Sequence, residues 1–120
     1  MTPLILLVED EPVLREMITI SLSEKGMEVV QAINGEEATA FLGTIKPDLI
    51  LLDLLMPKMD GYAVLSYLKQ NSSHFPVIVL SNLSDPDEEA KCRKLGAKDF
   101  LVKSNLDEEE LWEKISPYLP

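Results

Sequence analysis

The sequence predicts a single α/β domain built around a parallel five-stranded sheet, and three observations lead to that expectation. Short apolar runs begin at Leu4, Val29, Leu49, Val77 and Phe100, separated by 25, 20, 28 and 23 residues. The stretches between them carry helix start and stop signals. The runs are continuous rather than alternating, which suits strands covered on both faces. With 120 residues the chain can fill one core of ordinary size but not two, so one domain over 1–120 is expected.

The elements follow in order. Leu4–Val8 is the first strand. Residues 12–25 make the first helix, with Pro12 in its first turn, Val13, Met17, Ile20 and Leu22 near a helical spacing, and Gly26 as the stop. Val29–Ile33 is the second strand, and residues 35–43 form a short helix. Leu49–Leu52 is the third strand, followed by a helix over 61–70. The fourth strand, Val77–Leu80, follows Pro76, which is tolerable because a strand's first residue can spare its N–H. Asp85-Pro86 with Glu88 opens a helix over 86–95 that ends before Gly96. Only Ala90, Cys92 and Leu95 give this helix an apolar face, so it should be the least firmly packed. Phe100–Val102 is the fifth strand. Asp107 and Glu110 open the last helix, 107–116, which should bury Leu111, Trp112 and Ile115. Right-handed crossovers leave few topologies, and the flavodoxin-like (βα)5 three-layer sandwich with strand order 2-1-3-4-5 is the commonest at this length.

Composition excludes several function classes. Eleven Lys plus Arg against twenty-one Asp plus Glu give a net charge of −10, which repels phosphate backbones and anionic membranes. Direct nucleic-acid binding by this domain is therefore disfavoured. Residues 1–60 carry four basic and eleven acidic groups and residues 61–120 seven and ten, so the excess is spread out. Cys92 is the only cysteine, so no internal disulfide can form, and a reducing cytoplasmic setting is expected. The N-terminal apolar run has no basic flank and stops at Glu9, which fits neither a signal peptide nor a membrane span. Cys92 reads as a helix filler and His74, in a polar loop, as a surface residue.

The chemistry collects where the strands end. Glu9, Asp10 and Glu11 follow the first strand, Asp53 ends the third, Ser81 follows the fourth and Lys103 the fifth. In an open parallel sheet, ligands bind outside the carboxyl ends of the strands at the point where strand order reverses. In the order 2-1-3-4-5 that point lies between strands 1 and 3, the two that deliver acids. Taken singly, these acids are helix-start or turn residues. Their coincidence at four strand ends points to a site. Clustered carboxylates repel one another unless a cation sits among them, and an all-oxygen ligand set suits Mg²⁺.

The residues Val8-Glu9-Asp10-Glu11, Leu51 to Gly61 (LLDLLMPKMDG), Val79-Leu80-Ser81 and Gly96 to Lys103 (GAKDFLVK) resemble the motifs of bacterial response-regulator receiver domains. The likeness runs from the first strand to the last helix, and the stretch from Asp53 to Gly61 is its most specific part. It implies a phospho-accepting switch of two-component signalling, in which Asp53 is the phosphorylated aspartate. Glu9 and Asp10 would hold Mg²⁺ with Asp53 and the main-chain carbonyl of Leu55. Lys103 and the Ser81 hydroxyl would meet the phosphoryl oxygens. Phe100 would be the aromatic switch, turning inward as Ser81 shifts. Met56-Pro57 and Asp60-Gly61 would shape the loop after strand 3. The implied donor is a sensor histidine kinase or phosphotransfer protein, and the output a downstream protein target or output domain. The helix 86–95, the strand 99–102 and the helix 107–116 would form the signalling face, on a monomer or a homodimer joined there.

Three positions depart from the family pattern. Ser104 stands where Pro usually follows the Lys, which removes the residue that makes a cis bond affordable. Glu9 is one methylene longer than the commoner Asp. Asn82 replaces a small residue beside the phosphoryl site. Two rivals are weaker. A Mg²⁺-dependent phosphatase with an aspartyl nucleophile wants an acid two residues after it, where this chain has Leu55. A flavodoxin-like flavin carrier wants a Ser, Thr or Gly-rich loop after strand 1, where this chain has Glu9-Asp10-Glu11. A switch that modifies only itself turns over no separate substrate, so no enzyme activity is expected.

Overall fold

Strands β1 (Leu4–Val8), β2 (Glu28–Ala32), β3 (Leu49–Asp53), β4 (Val77–Ser81) and β5 (Asp99–Val102) alternate with helices α1 (Pro12–Glu24), α2 (Gly35–Leu42), α3 (Gly61–Gln70), α4 (Pro86–Lys94) and α5 (Glu108–Ile115). This is the arrangement of the computed structural model, which describes residues 2–82 and 85–120. All neighbouring strands pair in parallel, in the expected order β2-β1-β3-β4-β5.

Alternation along the strands divides the core into two layers. Leu6, Val8, Ile50, Leu52, Val77, Val79 and Phe100 face one way, where α2 contributes Ala38, α3 contributes Val64, Leu65 and Leu68, and α4 contributes Cys92. Ile5, Leu7, Leu49, Leu51, Ile78, Leu80 and Leu101 face the other way, against Ile18 and Leu22 of α1 and Leu111 and Ile115 of α5. Helices thus cover both faces of the sheet, which is why β1, β3 and β4 are apolar up to their last residues. The caps follow from sequence: the side chains of Asn34, Asp60, Asp85 and Asp107 accept hydrogen bonds from the first-turn N–H groups of α2, α3, α4 and α5.

Two helices show different relations between pattern and packing. In α1, only Leu22 of the four spaced apolar residues is buried; Val13, Met17 and Ile20 stand 66%, 62% and 50% exposed. The helix instead turns Ile18, Ser21 and Leu22 inward, with Leu14 half-buried beside them. It carries apolar residues on both sides, so spacing alone does not choose the buried one. In α4, Cys92 is the one fully buried residue, in keeping with its weak apolar face. His74 is exposed, as expected.

In α5, Leu111 and Ile115 are buried while Trp112 is only half-buried, its ring centroid 5.2 Å from the Lys25 ammonium at the end of α1. Beyond β5 the chain turns through a single 3₁₀ turn at Lys103–Asn105, and no described peptide bond is cis. Among the described residues no helix is long and apolar enough to cross a membrane.

Candidate functional site

The carboxyl ends of β1, β3, β4 and β5 converge on a cleft of about 250 Å³ lined by Asp10, Glu11, Asp53, Leu55, Ser81, Asn82 and Lys103. Glu9 lies beneath it, wholly buried at the end of β1. Its main-chain N–H donates to the Ala32 carbonyl (3.0 Å) on β2, which carries the ladder one residue past the strand. Arg15 on α1 spends its guanidinium on main-chain oxygens, donating to the carbonyls of Glu9 (2.9 Å) and Asp10 (3.4 Å). The acidic turn is therefore fixed without any of its carboxylates being neutralised from that side.

Asp53 is the last residue of β3 and almost fully buried. The chain then enters a loop held at both ends. The Gly61 N–H donates to the Leu54 carbonyl (2.9 Å), and the Gly35 N–H donates to the Met59 carbonyl (3.0 Å). Lys58 and Met59 take left-handed backbone angles (φ 50° and 78°), which is costly for residues with side chains. Gly61 is required because a Cβ there would collide with the Asp53 carbonyl and come within 2.7 Å of the Leu54 Cα. Asp60 acts as the α3 cap, its Oδ1 accepting the Ala63 N–H (2.9 Å). The Leu55 side chain is exposed on the rim.

Lys103 crosses the ends of β4 and β3 to reach the acids. Its Nζ is 2.7 Å from Glu9 Oε1 and 3.0 Å from Asp53 Oδ2, with the lysine side chain 11% exposed. Both oxygens are buried, and neither has a hydrogen bond beyond this ionic contact. Glu9 Oε2, in turn, accepts the Glu11 N–H (3.0 Å), which fixes the carboxylate's orientation. Burial pushes the Asp53 carboxyl up to about 7; the hydrogen bond from Lys103 opposes that rise, and the Glu9 charge adds to it. Burial works against the Lys103 charge, but the two carboxylates outweigh it and raise its pKa.

Oxygens of Glu9, Asp10 and Asp53 lie within 4.8 Å of one another, close enough to hold one metal ion. The buried oxygens Glu9 Oε1 and Asp53 Oδ2 have only the one shared Lys103 ammonium as partner, and the donor set is all oxygen, so the residues present fit a hard divalent cation. Ser81 is buried at the end of β4, and Phe100 lies inward at 8% exposed, packed with Cys92 and Ala97. The Cys92 thiol is pushed up to about 11, chiefly by burial, which suits its role as a filler.

Sequence reasoning chose the cleft's residues but missed two features. The ion pair between Glu9 and Lys103 depends on side-chain reach across the sheet's ends; the extra methylene of Glu9 was its only signal. The second is a neighbouring hollow of about 230 Å³, lined by Glu11, Val13, Leu14, Met17, Asn82, Lys103 and Ser104. It joins the cleft to the exposed apolar stripe of α1, which helical spacing alone does not mark as outward-facing.

The family model described as "Response regulator receiver domain" matches residues 5–116. Among curated proteins, the chain is 33% identical over 119 residues to the DNA-binding dual master transcriptional regulator RpaA of Synechocystis, covering 98% of this chain and 49% of that one. The first relatives matched are covered over 41% to 49% of their length, so the chain spans about half or less of each. Among solved structures, the Francisella response regulator 1452 receiver domain superposes with a TM-score of 0.92 at 28% identity, covering 98% of this chain and 96% of that one. The CheX–CheY–BeF3–Mg²⁺ complex from Borrelia burgdorferi gives 0.90 at 29% identity, covering 98% and 90%.

Proposed function

The chain belongs to the response regulator receiver domain family of two-component systems, and on that premise we propose that it works as a Mg²⁺-dependent switch phosphorylated on Asp53. The observation that carries this reading is the buried trio of Glu9, Asp53 and Lys103, in which two buried carboxylate oxygens have one ammonium between them as their sole partner. Such a site is short of positive charge. Glu9, Asp10, Asp53 and the Leu55 carbonyl would hold Mg²⁺, in line with the metal named for the Borrelia complex. Bound there, the ion would offset negative charge on the transferring phosphoryl group.

The chain's own residues do the rest. An oxygen of Asp53 forms the new bond to phosphorus as the bond to the donor's imidazole nitrogen breaks, and the departing nitrogen keeps the electron pair. Lys103, already 3.0 Å from Asp53, pairs with an equatorial phosphoryl oxygen, and the Ser81 hydroxyl donates to another. Asn82 and Leu55 stand on the cleft's rim and limit the approach of water and donor. The new phosphoryl contacts favour one arrangement of the Ser81 and Phe100 region over another, biasing a two-state equilibrium. The product remains attached to the protein, so no separate substrate is turned over.

The donor is a phosphohistidine on a sensor kinase or phosphotransfer protein. The Val13 and Met17 stripe beside the cleft supports docking of a protein rather than a small molecule alone. Output passes through α4, β5 and α5 to a downstream protein or output domain, from a monomer or a homodimer joined there. On that face Arg93 already pairs with Glu89 and Asp99, and Lys114 with Asp99, so these four groups are paired within the chain. The setting is cytoplasmic and the domain itself makes no nucleic-acid contact, in keeping with its −10 charge. Incubation with Mg²⁺ and a small acyl-phosphate donor, followed by intact-mass measurement, tests the reading. One added phosphoryl group on the parent and none on Asp53→Asn is expected; an unlabelled parent, or equal labelling of both, overturns it.

A further inference from the structure

Glu9 makes the shorter of the two contacts to Lys103, although Asp53 is the residue the ammonium is expected to serve. Its Oε1 sits 2.7 Å from Nζ, against 3.0 Å for Asp53 Oδ2. The contact depends on length. β1 and β5 are separated in the sheet by β3 and β4, so the two side chains meet only by extending toward each other over the strand ends. An Asp in place of Glu9 would draw the carboxylate back by about 1.5 Å, one carbon–carbon bond. That retraction would open the contact beyond ion-pair distance.

The pair is also held in place. The Glu11 N–H binds Glu9 Oε2 and so aims Oε1 at Lys103. Glu9 is wholly buried and Lys103 nearly so, which makes separating them costly unless another cation takes over. Glu9 is also one of the three residues whose carboxylate oxygens lie close enough together to hold a metal ion, and its Oε2 is already taken by the Glu11 N–H.

We propose that Glu9 holds Lys103 as an internal counter-cation, which a divalent ion must displace from Oε1 before Lys103 is free to meet a phosphoryl group. The inference rests on reading the cleft as a metal-assisted acceptor site. It gives the extra methylene of Glu9 a role: metal affinity is lowered, the metal-free site is kept charge-paired, and release of Lys103 is tied to metal arrival. A shorter acid would ligate the ion without this competition.

A double-mutant cycle read by calorimetric Mg²⁺ titration isolates the pair, using the parent, Lys103→Met, Glu9→Asp and the double variant, with folding checked by circular dichroism. Removing Lys103 should tighten Mg²⁺ binding by about tenfold in the parent but only about twofold in the Glu9→Asp background. Equal factors in both backgrounds would mean that Lys103 acts only as a distant positive charge, and would overturn the proposal. The parent alone supplies a second readout that needs no variant to fold. The ¹⁵N resonance of the Lys103 ammonium should shift when Mg²⁺ is added without any phosphodonor. A parent that binds Mg²⁺ and accepts the phosphoryl group with that resonance unmoved overturns the proposal and leaves the acceptor reading intact. A parent that binds no Mg²⁺ overturns both.

Discussion

Two ion networks in this molecule use the same kinds of groups to opposite effect. At the strand ends, one ammonium is shared by two carboxylates, with side chains between 0% and 11% exposed. Across α4, β5 and α5, Arg93 and Lys114 surround Asp99, and Arg93 also meets Glu89, with side chains between 19% and 46% exposed. The contact distances differ by only a few tenths of an ångström, 2.7–3.0 Å in the inner set against 3.3–3.6 Å in the outer. Surroundings separate them more than geometry does. Water screens the outer network, so each pair there contributes little. The inner network has lost that screening, so its surplus negative charge is stored rather than dissipated. The outer network is finished, while the inner one is built to receive something.

The sharpest way to break this contrast is to remove the shared cation. Lys103→Met should destabilise the metal-free protein by roughly 3–5 kcal/mol, because it leaves two buried carboxylates facing each other. Chemical denaturation in the presence of a chelator measures this, and added Mg²⁺ should recover more stability in the variant than in the parent. A loss no larger than a surface pair's would remove the distinction between the two networks.

Asp53 provides the next test. Its folded carboxyl takes up a proton near pH 7, whereas its ordinary value is 3.8, so between those values the folded state binds more protons than the unfolded one. The penalty of keeping Asp53 charged is thus present above about pH 7 and is relieved as pH falls toward 4. Without metal, the parent should gain on the order of 2 kcal/mol on going from pH 8 to pH 5.5. Asp53→Asn should lack that gain and be the more stable protein at pH 8. Melting temperatures of both proteins across the range check it.

The smallest effect belongs to the outer network. Asp99→Asn should cost no more than about 1 kcal/mol, and high salt should shrink the difference further. The inner network's response to Lys103→Met should change far less with salt. Comparing the two variants at low and high ionic strength therefore sharpens the contrast even if both absolute values move.

Much of the fold was legible because the inner strands are apolar on both sides and the starts of α2 to α5 carry side-chain caps. Asp60, Asp85 and Asp107 state where helices begin, and Gly26 and Gly96, at φ 88° and 110°, state where they stop. The residues of the candidate site were legible because they fall at strand ends, where parallel topology gathers them. The inner side of α1 was not, since Val13, Met17 and Ile20 are as apolar as Leu14, Ile18 and Leu22. Only packing against the sheet and α5 decides which of the two faces is covered. The embrace of Lys103 by Glu9 was equally hidden. Sequence placed Lys103 near Asp53, but whether a side chain from β1 could reach it depended on a single methylene.

Trp112 turns the layout into an optical convenience. It is the chain's one tryptophan and lies beside Lys25, just past the end of α1, while the acceptor cleft opens at the helix's other end. Thirteen helical residues, about 20 Å, separate the two. Intrinsic fluorescence is therefore blind to direct quenching by an ion in the cleft. Any change in emission on metal loading or phosphorylation would report movement carried through α1 or α5 to the opposite end of the molecule, with no label attached.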